Sequence, residues 1–145
     1  MQSRSSADTC LASTPLFASA SVKKILVVDD SETVRSQVRQ ALAGGGYTIV
    51  ECVDGVEGLA TIRASDDLSL VLCDVDMPRM TGLEMVTELQ RTGNTVPVLM
   101  LTTEDDPALV QRAREAGCKG WIVKPFKPQL LVVAVTKFVP PGPVE

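Results

Sequence analysis

The chain has 145 residues, of which 45% are hydrophobic and 22% charged, with a formal net charge of −4. That is the size and composition of one ordinary globular domain, and an acidic chain without a basic block is a poor binder of nucleic acid or anionic membrane. Histidine is absent, which excludes Ser-His-Asp and Cys-His nucleophile systems, His-ligated zinc, and phosphorylation of this chain on histidine.

Residues 1–22 are rich in Ser, Ala and Thr and read as a disordered N-terminal leader. Asp8 ahead of the Leu11–Ala20 stretch and Pro15 within it argue against a secretory signal. The four cysteines, Cys10, Cys52, Cys73 and Cys118, form no C-x-x-C pair and read as reduced thiols of a cytoplasmic protein. No run approaches the roughly 20 apolar residues of a membrane span.

From Lys23 onward, apolar runs alternate with amphipathic stretches. Ile25–Val28 is a buried strand. Asp30 or Ser31 caps a helix whose face is Val34, Val38, Ala41 and Leu42, and Gly44-Gly45-Gly46 ends it. Tyr47–Val50 is the second strand. Asp54-Gly55-Val56-Glu57 resembles a capping box and opens a helix running to about Arg63. Leu70–Cys73 is the third strand. Pro78 and Gly82 mark a loop before a helix over about Leu83–Thr92, stopped by Gly93.

Val98–Leu101 is the fourth strand, and Asp106-Pro107 supplies a cap and N1 proline for a helix to about Ala116. Trp121–Val123 is a fifth strand. Pro128 opens the last helix, about Gln129–Phe138, with Leu131, Val135 and Phe138, joined by Leu130 and Ala134, on one face. Val132 and Val133 leave this helix either more buried than average, the preferred reading, or presenting apolar surface to a partner. Residues 139–145 form a Pro-rich C-terminal tail. Five strands alternating with five helices predict an α/β fold, a doubly wound parallel sheet that binds ligands beyond the carboxyl ends of its strands.

Those strand ends carry the chemistry. The first ends in Asp29-Asp30, the third in Asp74 with Asp76 two residues on, the fourth in Thr102-Thr103 and the fifth in Lys124-Pro125. Taken singly, each is more often a turn, a cap or a solvated side chain. Their coincidence on one edge changes that reading. Clustered carboxylates repel and need a cation or raised pKa values. Acids without histidine or cysteine ligands suit a hard, oxygen-seeking ion, Mg2+ best. Such an ion with Lys and Thr is a device for a phosphoryl group, and one carboxylate can be the nucleophile.

The sequence resembles the receiver domain of two-component response regulators, and most of all the single-domain chemotaxis-type (CheY-like) regulators. The resemblance rests on the Ile25–Asp30, Leu72–Gly82, Val98–Glu104 and Gly120–Phe126 motifs and spans 23–138, the expected receiver domain. It implies a flavodoxin-like (βα)5 fold with strand order 2-1-3-4-5. It implies that Asp74 is the phosphoacceptor, that Asp29 and Asp30 hold Mg2+ with Asp74 and the backbone carbonyl of Asp76, and that Lys124 contacts the phosphoryl group.

The same resemblance implies that Thr102 is the hydroxyl that swings toward the phosphoryl group. Trp121 then occupies the aromatic switch position, although covering the sheet end is an equally good structural role for it. The implied phosphodonor is a partner histidine kinase. The implied output is an unknown protein met through the Pro107–Ala116, Gly120–Val123 and Gln129–Phe138 face, by a monomer or a weak, phosphorylation-dependent dimer. The chain is then no enzyme beyond self-directed phosphotransfer and autodephosphorylation. Two alternatives stand beside this reading: a fragment of a multidomain regulator, and a haloacid-dehalogenase-like phosphohydrolase. The latter expects Asp-x-Asp-x-Thr after the first strand, where this chain has Asp29-Asp30-Ser31.

Overall fold

A computed structural model describes residues 23–103 and 106–140. The expected leader over 1–22, with Cys10, and also Glu104 and residues 141–145 of the expected tail lie outside the described residues. Strand β1 is Lys23–Val28, β2 Tyr47–Cys52, β3 Leu68–Asp74, β4 Val98–Thr102 and β5 Gly120–Val123. Helix α1 is Glu32–Ala41, α2 Gly55–Ala64, α3 Gly82–Arg91, α4 Pro107–Glu115 and α5 Pro128–Phe138. A short 3-10 turn, Ala43–Gly45, follows α1. The strands pair in parallel in the order β2-β1-β3-β4-β5, which is the expected 2-1-3-4-5 arrangement.

The strands are unbroken aliphatic runs because both faces of the sheet are covered. Side-chain alternation sends Leu26, Val28, Val71, Cys73 and Met100 into one core with α2, α3 and α4. It sends Ile25, Val27, Leu70, Leu72, Leu99 and Leu101 into a second core with α1 and α5. Each Leu or Ile fully buried this way contributes roughly 2 kcal/mol over leaving it exposed.

Local chemistry sets the helix starts. Ser31, not Asp30, caps α1, its hydroxyl accepting from the Val34 amide at 3.3 Å. Asp54 caps α2 through the Glu57 amide at 2.9 Å. The capping box expected there is offset by one residue, because the Glu57 carboxylate accepts from the amide of Val53, not of Asp54. A complete box lies instead at α3, between Thr81 and Glu84, so that helix starts one residue before the expected Leu83. Asp106 caps α4 from just before Pro107.

Two expectations change at the end of the chain. Helix α5 buries Leu131 and Val135, but Leu130 is 61% exposed and Val133 52%. Its apolar residues exceed what one buried stripe accommodates, so the more-buried reading of this helix gives way. Past the helix, Val139 is buried, and its carbonyl accepts from the Tyr47 hydroxyl at 2.7 Å. Packing therefore reaches one residue into the segment read as tail. Among the described residues, Cys52, Cys73 and Cys118 are free and buried, and no helix is long and apolar enough to cross a membrane.

Candidate functional site

The parallel register brings the carboxyl ends of β1, β3, β4 and β5 to one edge. Asp29 follows directly on β1, and its amide continues the sheet by donating to the Cys52 carbonyl at 3.1 Å. Its carboxylate is turned inward and fully buried, where Oδ1 accepts from the Ser31 amide at 2.9 Å. Asp74 closes β3 with 6% exposure. Oxygens of Asp29, Asp30 and Asp74 lie within 4.8 Å of one another. Lys124, one residue past β5, reaches back between two of them: its Nζ is 3.1 Å from Asp29 Oδ2 and 3.4 Å from Asp74 Oδ1. Its backbone amide donates to the Thr102 carbonyl at 2.6 Å, which ties β5 to β4 beside the site.

Lys124 thus pairs with two of the three clustered carboxylates. Burial and the like charge of Asp29 push the Asp74 carboxyl up to about 6, against the opposing pull of Lys124 and of a hydrogen bond from the Asp76 backbone. Burial alone would lower the Lys124 ammonium, but Asp29 and Asp74 outweigh it and raise its pKa. The donor set is all oxygen, its negative charge exceeds its positive charge, and one member (Asp30) faces solvent. That is the chemistry that fits a hard divalent cation.

Close packing completes the pocket. A Cβ on Gly82 would come within 2.3 Å of the Asp74 carbonyl, so only glycine lets α3 start against the end of β3. Thr102 is buried at 1% exposure as the last residue of β4. Trp121 is half-buried on β5, opposite Met100 and packed on the α2–α4 side of the sheet. There it lines a recess of about 120 Å³ with Val110, Ala113 and Cys118. The Asp76 side chain is exposed and stands outside the three-carboxylate cluster; its contact with the site is made by the backbone.

Two arginines border this edge without any mark in the strand-end pattern. Arg35 on α1 donates from Nη1 to the Asp29 carbonyl at 2.7 Å, and from Nε to Glu51 at 3.1 Å. Arg79, in the β3–α3 loop, donates from Nε to Asp54 at 2.8 Å. The nearest sequence signal for Arg35 is its i,i+3 spacing from Glu32; for Arg79 there is none.

Residues 25–136 match the family model of the response regulator receiver domain. Chemotaxis protein CheY1 of Helicobacter pylori is 39% identical over 111 residues, covering 74% of this chain and 90% of that protein. Response regulator MprA of Mycobacterium ulcerans is 42% identical over 103 residues, covering 71% of this chain; the matched region spans 44% of that longer relative. Among solved structures, chemotaxis protein CheY4 of Vibrio cholerae superposes with a TM-score of 0.75 at 36% identity, covering 81% of this chain and 99% of that one.

Proposed function

Since the chain belongs to the response regulator receiver family, we propose that it is a phosphorylation-activated switch of a two-component phosphorelay, with Asp74 as phosphoacceptor. The observation that carries this reading is the pocket itself: a buried Asp74 carboxylate against Lys124, within 4.8 Å of two further acids. Asp29, Asp30, Asp74 and the Asp76 backbone carbonyl would hold Mg2+, which when bound neutralises phosphoryl oxygens at the acid edge.

The chain's own residues do the rest. An Asp74 carboxylate oxygen attacks the phosphorus of the donor; the new P–O bond forms as the bond from phosphorus to the donor's leaving group breaks. The donor is a phosphohistidine of a partner kinase or a small acyl phosphate. Ionised Asp74 is required, and its pKa near 6 leaves it ionised at neutral pH. Lys124, held above its ordinary pKa by the two acids, stays cationic and donates to a phosphoryl oxygen as Asp74 gives up its charge to the acyl phosphate. Buried Thr102 lies one strand over, where its hydroxyl serves as donor to another phosphoryl oxygen.

Movement of Thr102 and Trp121 then biases the Pro107–Ala116, Gly120–Val123 and Gln129–Phe138 face toward binding an output protein. Exposed Leu130 and Val133 give that face apolar surface.

The test is incubation with acetyl phosphate and Mg2+ followed by intact-mass measurement. One phosphoryl group is expected on the wild type and none on Asp74→Asn. An unmodified wild type, or equal labelling of the variant, overturns the reading.

A further inference from the structure

The loop between β3 and α3 is held at both ends by backbone pairing. Val75 donates to the Leu101 carbonyl at 3.1 Å, and Gly82 donates to the Val75 carbonyl at 2.9 Å. Between these points runs the stretch that carries Asp76, two residues past Asp74, whose backbone tempers the rise of the Asp74 pKa. Its far side contains an unusual turn. The Met80 amide donates to the Pro78 carbonyl at 2.8 Å, and Arg79 between them has a φ of 70°. A three-residue turn with its centre at positive φ is the rarer, strained form, and a non-glycine residue there persists only where its surroundings hold it.

What holds it is visible. The Arg79 Nε donates at 2.8 Å to Asp54 Oδ2. The other oxygen of Asp54 caps α2 through the Glu57 amide, so Asp54 is fixed as part of a helix start, and it is only 4% exposed. The Arg79 guanidinium, helped by the Glu57 amide, holds the Asp54 carboxyl below its ordinary range. Directly beside the pair, Gly55 lets the Met80 carbonyl approach so closely that a Cβ would sit 2.5 Å from it. The loop is therefore clamped onto the N-terminus of α2 by one ion pair and one close backbone contact.

We propose that Arg79 is a positioning residue of the acid pocket: by clasping Asp54 it holds the β3–α3 turn, and with it the Asp76 backbone, against the Asp74 carboxylate. The functional half of this statement rests on the Mg2+-dependent phosphoacceptor reading above.

The sign of the effect separates positioning from bulk electrostatics. Arg79 is a positive charge near an acid cluster, so on Coulomb grounds alone its removal favours cation binding. Positioning predicts the reverse. Arg79→Gly removes the clasp and relieves the positive φ, so thermal stability should hold or rise. At the same time Mg2+ binding by calorimetry should weaken by about tenfold, the lower end of what loss of a group supporting metal ligands produces.

In the metal-free protein, hydrogen exchange at the Asp76 amide, read by NMR, should become several-fold faster in the same variant. Asp54→Asn, which keeps the helix cap, should reproduce both effects, and Arg79→Lys should restore most of the wild-type behaviour. Unchanged Asp76 exchange, or Mg2+ affinity that is unchanged or tighter in Arg79→Gly, overturns the proposal. A wild type that takes up no Mg2+ overturns the phosphoacceptor reading instead, and the exchange measurement alone then decides whether Arg79 holds the turn.

Discussion

The two ends of this sheet are built from the same strands and treat charge in opposite ways. At the amino ends, Lys24 meets Asp67 at 2.7 Å on the surface, one cation for one anion, both partly exposed to water. At the carboxyl ends, Asp29, Asp30 and Asp74 cluster, and Lys124 pairs with two of them, Asp29 and Asp74. The first arrangement is locally neutral and contributes little to stability either way. The second keeps an uncompensated negative charge in a largely buried place, which folding alone would not favour. The aliphatic cores that flank both edges tolerate this imbalance, and under the proposed function it is what suits one edge, and not the other, to phosphoryl chemistry.

The contrast can be broken in several places. The largest effect is on chemistry: Asp74→Asn should abolish acyl-phosphate labelling, a loss of at least about 100-fold, since the proposed nucleophile is gone. Next is Lys124→Met, which leaves buried Asp29 without its cation. In the absence of metal, denaturant unfolding at neutral pH should show a loss on the order of 3 kcal/mol. A variant as stable as wild type would mean the acids do not depend on it.

Asp74→Asn should have a second, opposite consequence. The folded-state pKa of Asp74 is about 6, above the ordinary carboxyl value of 3.8. The folded protein therefore binds the proton more tightly than the unfolded one. Through this group, stability is highest below about pH 4 and falls as pH rises through 6. Removing the charge should stabilise the metal-free protein at pH 7–8 by on the order of 2 kcal/mol, and the gain should vanish toward pH 4. A pH-independent gain would locate its origin elsewhere.

Mg2+ at about ten times its dissociation constant should stabilise the wild type by about 1.4 kcal/mol, and Asp74→Asn by less. Smallest is the control at the amino edge. Lys119→Ala, exposed beside β5 near its start, should change stability by no more than about 0.5 kcal/mol and leave labelling untouched.

The sequence made the acid edge legible because strand-end residues are read directly. Apolar runs fix where a strand stops, and the first polar residue after it lies on the carboxyl edge. Asp29, Asp74, Thr102 and Lys124 follow from that rule, and Gly82 and Pro78 announce their loop. What the sequence did not carry was pairing between elements distant along the chain. Arg35 with Glu51, and Arg79 with Asp54, meet only after β2 and the β3–α3 loop are placed. Nor does an arginine announce a positive φ, as a glycine would. The exposure of Leu130 and Val133 was illegible for a related reason: a helix apolar on more than one face does not declare which residues the sheet will cover.

Trp121 has one consequence outside binding and catalysis. It is the chain's sole tryptophan, half-buried at the recess beside α4 and two positions before the end of β5. Indole emission is therefore a signal with a single address and no background from other indoles. The molecule carries its own optical dial, unlabelled and on the strand that leads into Lys124, against which the proposed ion and phosphodonor can be titrated.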